Sequence, residues 1–450
     1  MSITVSPRRE IETAPIGAFH WKFGLLVGLV MFFDGYDLFN AAYVAPFLKQ
    51  EWGLHPTQIG TLLSSGIAGL SLGSLIQGWI SDKFGRRVTM LIALFALSFA
   101  SILLAAAAHD FTSFLVFRIL LGTALGMVTP LTITYVNEWA PKKFENTFAI
   151  WVFLIGFCVG GVMASLVGVF ATPTFGWRSI YYFGSASILV AIAAYIWLPE
   201  SVVFLWNKGR NVELARVLAR VRPDRSELYK GASFEYVSAS KAKNIFATLF
   251  QRRYIRNTLV CWVSGALSLF CIHGITSWLP SVLIQSGHGI KSSFIYGSAM
   301  MLSSLVGGLA SGWFADKYSG RTKTMFVWYL AAAVAIAALS MPLCDVVLPL
   351  LIVASGFFVF GAQSVLNNFI AMSYDSDVRS TGVGVAVAVN RVGGICGPFV
   401  IGLLQNLGNG VEATFTALSI ASLLAAAVVM AGRPLVATPQ DTRAAALPSD

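Results

Sequence analysis

Five ionisable residues stand inside long apolar stretches of this chain: Asp34, Asp37, Arg118, Glu138 and Arg391. Insertion scales charge roughly 2.5–3.5 kcal/mol for Asp, Lys or Arg at the centre of a membrane helix. Such residues persist where they face a wet cavity or a partner. Asp34 and Asp37 are three apart and share a helical face, which Asn40 continues and Tyr36 borders. Two carboxylates close together in a low dielectric resist double ionisation, so the pair can take up a proton near neutral pH. The competing reading is a buried acid that pairs with a structural arginine and never titrates. Arg391 carries a guanidinium fork that matches a carboxylate bidentately. It serves a bound anion, a salt bridge to Asp34 or Asp37, or each in turn. Arg118 and Glu138 lie 20 residues apart in one stretch, about 30 Å along a helix, and cannot pair directly. Arg118 belongs either to a polar pathway or to a helix-packing ion pair. Glu138 is grouped with the proton-coupling acids, or acts as a gate near Arg86 or Arg87.

Three amides, Gln363, Asn367 and Asn368, share a late apolar stretch. Amides in hydrocarbon need partners, which a hydroxylated ligand or an interhelical hydrogen bond supplies. Tyr36, Asn40, Gln363, Asn367 and Trp278 are therefore read as pocket candidates; for Trp278, next to Pro280, the alternative is an interface anchor. Phe33, Phe39 and Phe360 offer ring faces, and His273 reads as a packed polar residue. No Gly-x-x-x-x-Gly-Lys-Ser/Thr loop, metal-spaced His or Cys cluster, or His-Glu-x-x-His occurs. An enzyme, a metal or cofactor, and direct ATP drive are not expected.

The elements that must position these groups follow from composition. The chain has 450 residues, 56% hydrophobic and 12% charged, against about 25% charged in a soluble protein. Mean hydropathy is +0.72. A soluble multidomain enzyme and a disordered or disulfide-rich secreted chain are excluded. The apolar runs are unbroken rather than alternating, so the spans are helices, not barrel strands. Twelve are expected, near 21–45, 57–80, 88–108, 111–137, 146–170, 178–198, 256–283, 292–315, 322–341, 346–371, 379–404 and 411–432. They group into a tail (1–20), a six-helix half (21–198), a central loop (199–255), a second half (256–432) and a tail (433–450). The central loop includes an amphipathic stretch from Val212 to Val221. Of the 31 Lys and Arg, 26 fall in the tails and alternate loops of one face, three on the other (Lys49, Arg178, Lys291) and two within spans. Positive charge marks the cytoplasmic side, so both termini are expected inside. The net charge of +10 then faces anionic lipid and calls for no nucleic acid. The first span starts at Trp21 and reads as a retained helix rather than a cleaved signal. The five cysteines have no metal spacing, and no disulfide is expected.

The two halves repeat. An offset of 234 places Gly78-Trp-Ile-Ser-Asp82-Lys-Phe-Gly85-Arg86-Arg87 on Gly312-Trp-Phe-Ala-Asp316-Lys-Tyr-Ser-Gly-Arg321, Pro46 on Pro280 and Gly122 on Gly356. Gly160-Gly161 falls within one residue of Gly393-Gly394. The acid pair is not repeated: Ser268 and Cys271 hold the matching positions. Duplicated halves suit a substrate site between them near the bilayer midplane. Gly78 permits a close helix approach and Gly85 a turn.

The 78–87 motif closely resembles the hallmark loop of the major facilitator superfamily, and the likeness runs over essentially the full chain. The second copy departs by one inserted residue before Gly320. Arg118-x-x-x-Gly122-x-x-x-Gly126 resembles the fourth-helix motif, and Pro199-Glu200-Ser201 the end of the sixth helix. Asp34-Gly-Tyr-Asp37, Arg379-Ser-Thr-Gly382-Val-Gly384, Asn390-Arg391-Val-Gly393-Gly394 and Gly397-Pro398 resemble the aromatic acid:proton symporter family. The resemblance implies an all-α fold of twelve transmembrane helices in two pseudo-symmetric halves. It implies import of a small aromatic acid with protons by alternating access, in a monomer of the bacterial inner membrane. Asp82 with Arg86 and Arg87 would form a charge latch that stabilises the outward-open state, with Asp316 and Arg321 a weaker copy. Other substrates left open are aliphatic organic acids, sugar acids and exported drugs. A membrane sensor that binds without transport is a further alternative.

Overall fold

The computed structural model describes residues 4–144, 147–148, 151–152, 156–235, 248–342, 344, 346–407 and 410–432. Much of the expected fifth span before residue 156, residues 236–247 of the central loop and the tail 433–450 lie outside the described residues. Twelve helices carry the fold. The first half holds α1 (Ala18–Trp52), α2 (Pro56–Phe84), α3 (Arg86–Ala106), α4 (Phe111–Trp139), α5 (Phe157–Phe170) and α6 (Arg178–Trp197). The second holds α7 (Ile255–Gln285), α8 (Ile290–Phe314), α9 (Gly320–Ala338), α10 (Val347–Met372), α11 (Ser376–Gln405) and α12 (Gly410–Val429). Ten of them are long and apolar enough to cross a membrane; α5, at 14 residues, and α9 fall outside that set.

Local chemistry sets the helix ends. Pro56 opens α2, where its missing N–H costs nothing. Asp110 caps α4 by accepting from the Ser113 amide at 2.7 Å. Gly85 makes the α2–α3 turn at φ 98°, a left-handed conformation that a side chain disfavours. Gly78 behaves otherwise than expected. No atom lies within 4 Å of where its Cβ would sit, so it supports no close approach here. The tight crossings lie elsewhere on α2, at Gly69 and Gly73.

Those crossings show the duplication in three dimensions. A methyl group on Gly73 would strike the Thr123 carbonyl, and one on Gly307 the Phe357 carbonyl. Each member of the second pair lies 234 positions after its counterpart. Gly122 against Gly66 is matched by Gly356 against Met300 at the same offset. Gly160 against Phe32 is matched by Gly393 against Ala266, one residue short of it. So α2 crosses α4 as α8 crosses α10, and α1 crosses α5 as α7 crosses α11.

The halves meet along two equivalent seams, α2 with α11 and α5 with α8, flanking α1 and α7. At one end of the first seam, Gly60 lies against Pro398 and Gly402, Asn406 bonds Thr57, and the Ser64 hydroxyl donates to the Ile395 carbonyl at 2.7 Å. In the second, Ser165 donates to the Phe294 carbonyl at 2.6 Å and Gly168 packs on the Phe294 ring. These contacts gather toward the face opposite the α2–α3 loop. The face carrying that loop, rich in Lys and Arg, is called the basic face below.

The first tail and the central loop do not stand apart. Thr4–Val5 pairs in parallel with Ser233–Phe234. Glu10, in the short helix Pro7–Glu12, accepts from Arg225 at 3.0 Å and from the Tyr229 hydroxyl at 2.7 Å. Burial and the Glu10 carboxylate push the Tyr229 hydroxyl above the usual phenol range. The helix Asn211–Val221 buries Leu214, Leu218 and Val221 in the first half's core.

Candidate functional site

Helix α1 presents Asp34 and Asp37 to the interior, 3% and 0% exposed. Asp34 Oδ2 accepts from the Thr129 hydroxyl on α4 at 3.1 Å, while Oδ1 has no hydrogen-bond partner among the described residues. Asp37 Oδ1 accepts from Asn40 Nδ2 at 2.8 Å, and Oδ2 is likewise without a partner among the described residues. Arg118 from α4 is buried beside them. Its Nη1 donates to the Asp37 carbonyl at 2.9 Å and to Asn40 Oδ1 at 3.2 Å, and its Nη2 donates to the Leu38 carbonyl at 3.2 Å. Gly66 permits this, because a methyl group there would come within 2.9 Å of Arg118 Nε.

The second half supplies the opposing charge. Arg391 on α11 is half-buried and reaches across the seam to the Ser74 hydroxyl and the Leu70 carbonyl of α2. Its positive charge bears on Asp34, while that of Arg118 bears on Asp37. The two acids thus sit between two cations, one from each half. No direct ion pair joins Arg391 to Asp34 or Asp37 among the described residues. His273 on α7 also faces Arg391, packs on Gly394 and borders a narrow cleft with Leu38, Ile67 and Arg118.

The other expected pocket residues divide. Gln363 donates to Asn367 Oδ1 at 2.8 Å on α10, and Asn367 and Asn368 are exposed. Asn40 is committed to Asp37 and Arg118. Tyr36 is fully buried, its hydroxyl donates to the Ile180 carbonyl at 2.7 Å, and Phe32, Phe33 and Phe183 surround its ring. It packs α1 onto α6. Trp278 is also buried and ties α7 to α11 by donating to the Pro398 carbonyl at 2.9 Å.

The loop motif is built around partners beyond itself. Arg86 pairs with Glu138 at the end of α4, and Glu138 also accepts from the Ser201 hydroxyl at 3.1 Å. The backbone amides of Arg86 and Arg87 both donate to Glu200 at 3.0 Å, and Arg87 Nη2 reaches the Tyr195 carbonyl at 2.5 Å. Asp82 is exposed and makes no ion pair among the described residues. In this conformation Arg86 and Arg87 are engaged by Glu138, Glu200 and the Tyr195 carbonyl, as Gly85 turns them toward α4 and α6. Glu138 belongs to this basic-face network and does not join the acid pair. In the second copy, Arg321 stands 3.9 Å from Asp316, with Asp316 exposed and Arg321 half-buried.

Residue types missed Thr129, Ser74 and His273 as neighbours of the charges. Hydroxyls are common in membrane helices and carry no spacing signal. His273 offered one clue, because its counterpart 234 positions earlier is Phe39, so the half-to-half symmetry breaks there.

A benzoate transport protein of Acinetobacter baylyi is 29% identical over 432 residues, covering 94% of this chain and 92% of that protein. A 4-hydroxybenzoate transporter of Pseudomonas aeruginosa is 29% identical over 423 residues, covering 93% and 94%. A niacin transporter of Acinetobacter baylyi is 30% identical over 424 residues, covering 94% and 95%. Among solved structures, a D-xylose–proton symporter superposes with TM-score 0.73 at 15% identity, over 92% of this chain and 97% of that one. That likeness speaks for the fold alone. The model of the Major Facilitator Superfamily matches residues 26–398. Twelve helices in two repeated halves, that match and these full-length likenesses agree: the chain belongs to the Major Facilitator Superfamily and is a multi-pass membrane transporter, not an enzyme.

Proposed function

We propose that the protein carries an aromatic carboxylate into the cell together with protons, by alternating access, in a bacterial inner membrane. The basic face is cytoplasmic in this reading, with both termini on that side. One observation carries it. Among the described residues, Asp34 keeps a carboxylate oxygen buried and unbonded, and the arginine of the opposite half whose charge bears on it pairs with no carboxylate. A proton on Asp34 removes a buried charge and leaves Arg391 free to hold the substrate carboxylate by its fork. The relatives support the cargo: those named for benzoate, 4-hydroxybenzoate, niacin and gallate share an aromatic ring bearing a carboxylate. Asn40 and Arg118 hold Asp37 in place. Gln363 and Asn367 are the groups on α10 for ring hydroxyls. Asp82, Arg86, Arg87, Asp316 and Arg321 act on the basic face as gating groups.

The test is uptake of labelled benzoate, 4-hydroxybenzoate and protocatechuate into vesicles holding the purified protein, with and without an inward proton gradient. Gradient-driven accumulation of at least one acid is expected. Asp34→Asn should lose that accumulation while keeping exchange of internal for external substrate. Accumulation that ignores the gradient would reject proton coupling. Absence of uptake of all three by folded protein would reject the substrate class.

A further inference from the structure

A cleft of about 260 Å³ opens on the basic face, where the start of α1, the end of α6 and the helix Asn211–Val221 meet. Lys22 and Arg220 stand at its rim, and Phe23, Leu26 and Trp197 form its walls. The two cations are unlike most of their neighbours. Arg210 pairs with Glu213, and Arg222 and Arg225 both pair with Glu10. Lys22 and Arg220 are exposed and have no carboxylate partner among the described residues. From this rim, exposed apolar rows run into the span. Leu25 and Leu29 continue along α1, and Ile196 and Ile192 along α6. Trp197, 54% exposed at the end of α6, is the kind of residue that marks the headgroup level.

We infer that this cleft is a binding site for an anionic phospholipid. The phosphate sits between Lys22 and Arg220, and an acyl chain follows the groove between α1 and α6. Charge complementarity selects the headgroup, and continuity with the lipid-facing rows selects a lipid over a free anion. The site does not depend on what the protein transports. The basic helix reaches the cleft because Leu214, Leu218 and Val221 anchor it in the core of the first half. The lipid would therefore bridge α1 to the segment that links the two halves.

The test is native mass spectrometry of the full chain in detergent, titrated separately with phosphatidylglycerol, phosphatidylethanolamine and inorganic phosphate. Wild type should retain phosphatidylglycerol in preference to phosphatidylethanolamine. Each cation is expected to contribute about fivefold in affinity, so Lys22→Gln with Arg220→Gln should weaken binding by roughly 25-fold. Lys142→Gln with Lys143→Gln removes equal charge from the same face and should change it little. Lys22→Arg with Arg220→Lys keeps the charges and should retain the lipid, provided both proteins elute as folded species. Equal loss in the two Gln pairs would reduce the effect to a generally basic surface and overturn the site. Equal retention of phosphatidylethanolamine, or displacement of the lipid by millimolar phosphate, would overturn the assignment to an anionic lipid.

Discussion

Arg118 is held by neutral oxygens, and its positive charge bears on the fully buried carboxyl group of Asp37. Removing one partner of a buried charge pair typically costs about 3–5 kcal/mol, because the other is left uncompensated. Arg118 touches Asp37 through its backbone carbonyl, so Arg118→Ala should cost near the low end, about 3 kcal/mol. Asp37→Asn in the same chain removes the carboxyl left without its cation and should restore about 1–2 kcal/mol. Unfolding of the purified protein in detergent, measured for both single variants and the double, checks this. Losses that simply add would show that the two groups are not coupled. The charges were legible in the sequence because ionisable groups are costly in hydrocarbon. Their partners were not. Tyr36 adjoins Asp37 in sequence, but a helix turns it onto Ile180 of α6, and nothing in residue type announces that carbonyl.

At the scale of elements, the repeat gives a paired prediction. Gly73 and Gly307 lie where α4 and α10 backbones press on α2 and α8, whereas Gly78 and Gly312 face open space. Gly73→Ala and Gly307→Ala should each cost about 1–3 kcal/mol by overpacking. Gly78→Ala and Gly312→Ala should be neutral or gain up to about 1 kcal/mol from helix propensity. Thermal unfolding midpoints in detergent separate the two outcomes. A loss at Gly78 matching that at Gly73 would mean that the crossing is misplaced. The span pattern and the offset of 234 were readable because each rests on a sum over many residues. The strand pair Thr4–Val5 with Ser233–Phe234 was not. Two residues carry no periodicity, and the join depends on Glu10 meeting Arg225 and Tyr229 from more than two hundred positions away. The first tail and the central loop therefore read as separate polar segments, although they close into one unit on the basic face.

The two halves touch along seams in which the approach of Gly60 to Pro398 and Gly402 and the Thr57–Asn406 bond lie at one end. Gly60 and Gly402 look like any other glycines in the sequence, so the repeat announces two halves but not which ends meet. If transport proceeds by rocking, the Thr57–Asn406 contact must break in every cycle, since it joins α2 to α11 at the closed end. A covalent bond there should stop the cycle without disturbing either half, because each keeps its own helix crossings. Thr57→Cys with Asn406→Cys, in a background whose five native cysteines are alanine, places two thiols where the side chains already touch. Oxidation should bring uptake into vesicles down to the level of empty vesicles, and reduction should restore it. Each single-cysteine variant should be indifferent to oxidant. The cross-link can be scored independently, because it holds the halves together after proteolytic cleavage of the central loop. A cross-linked protein that still transports at the uncross-linked rate would rule out opening at this end, and with it rocking that parts α2 from α11.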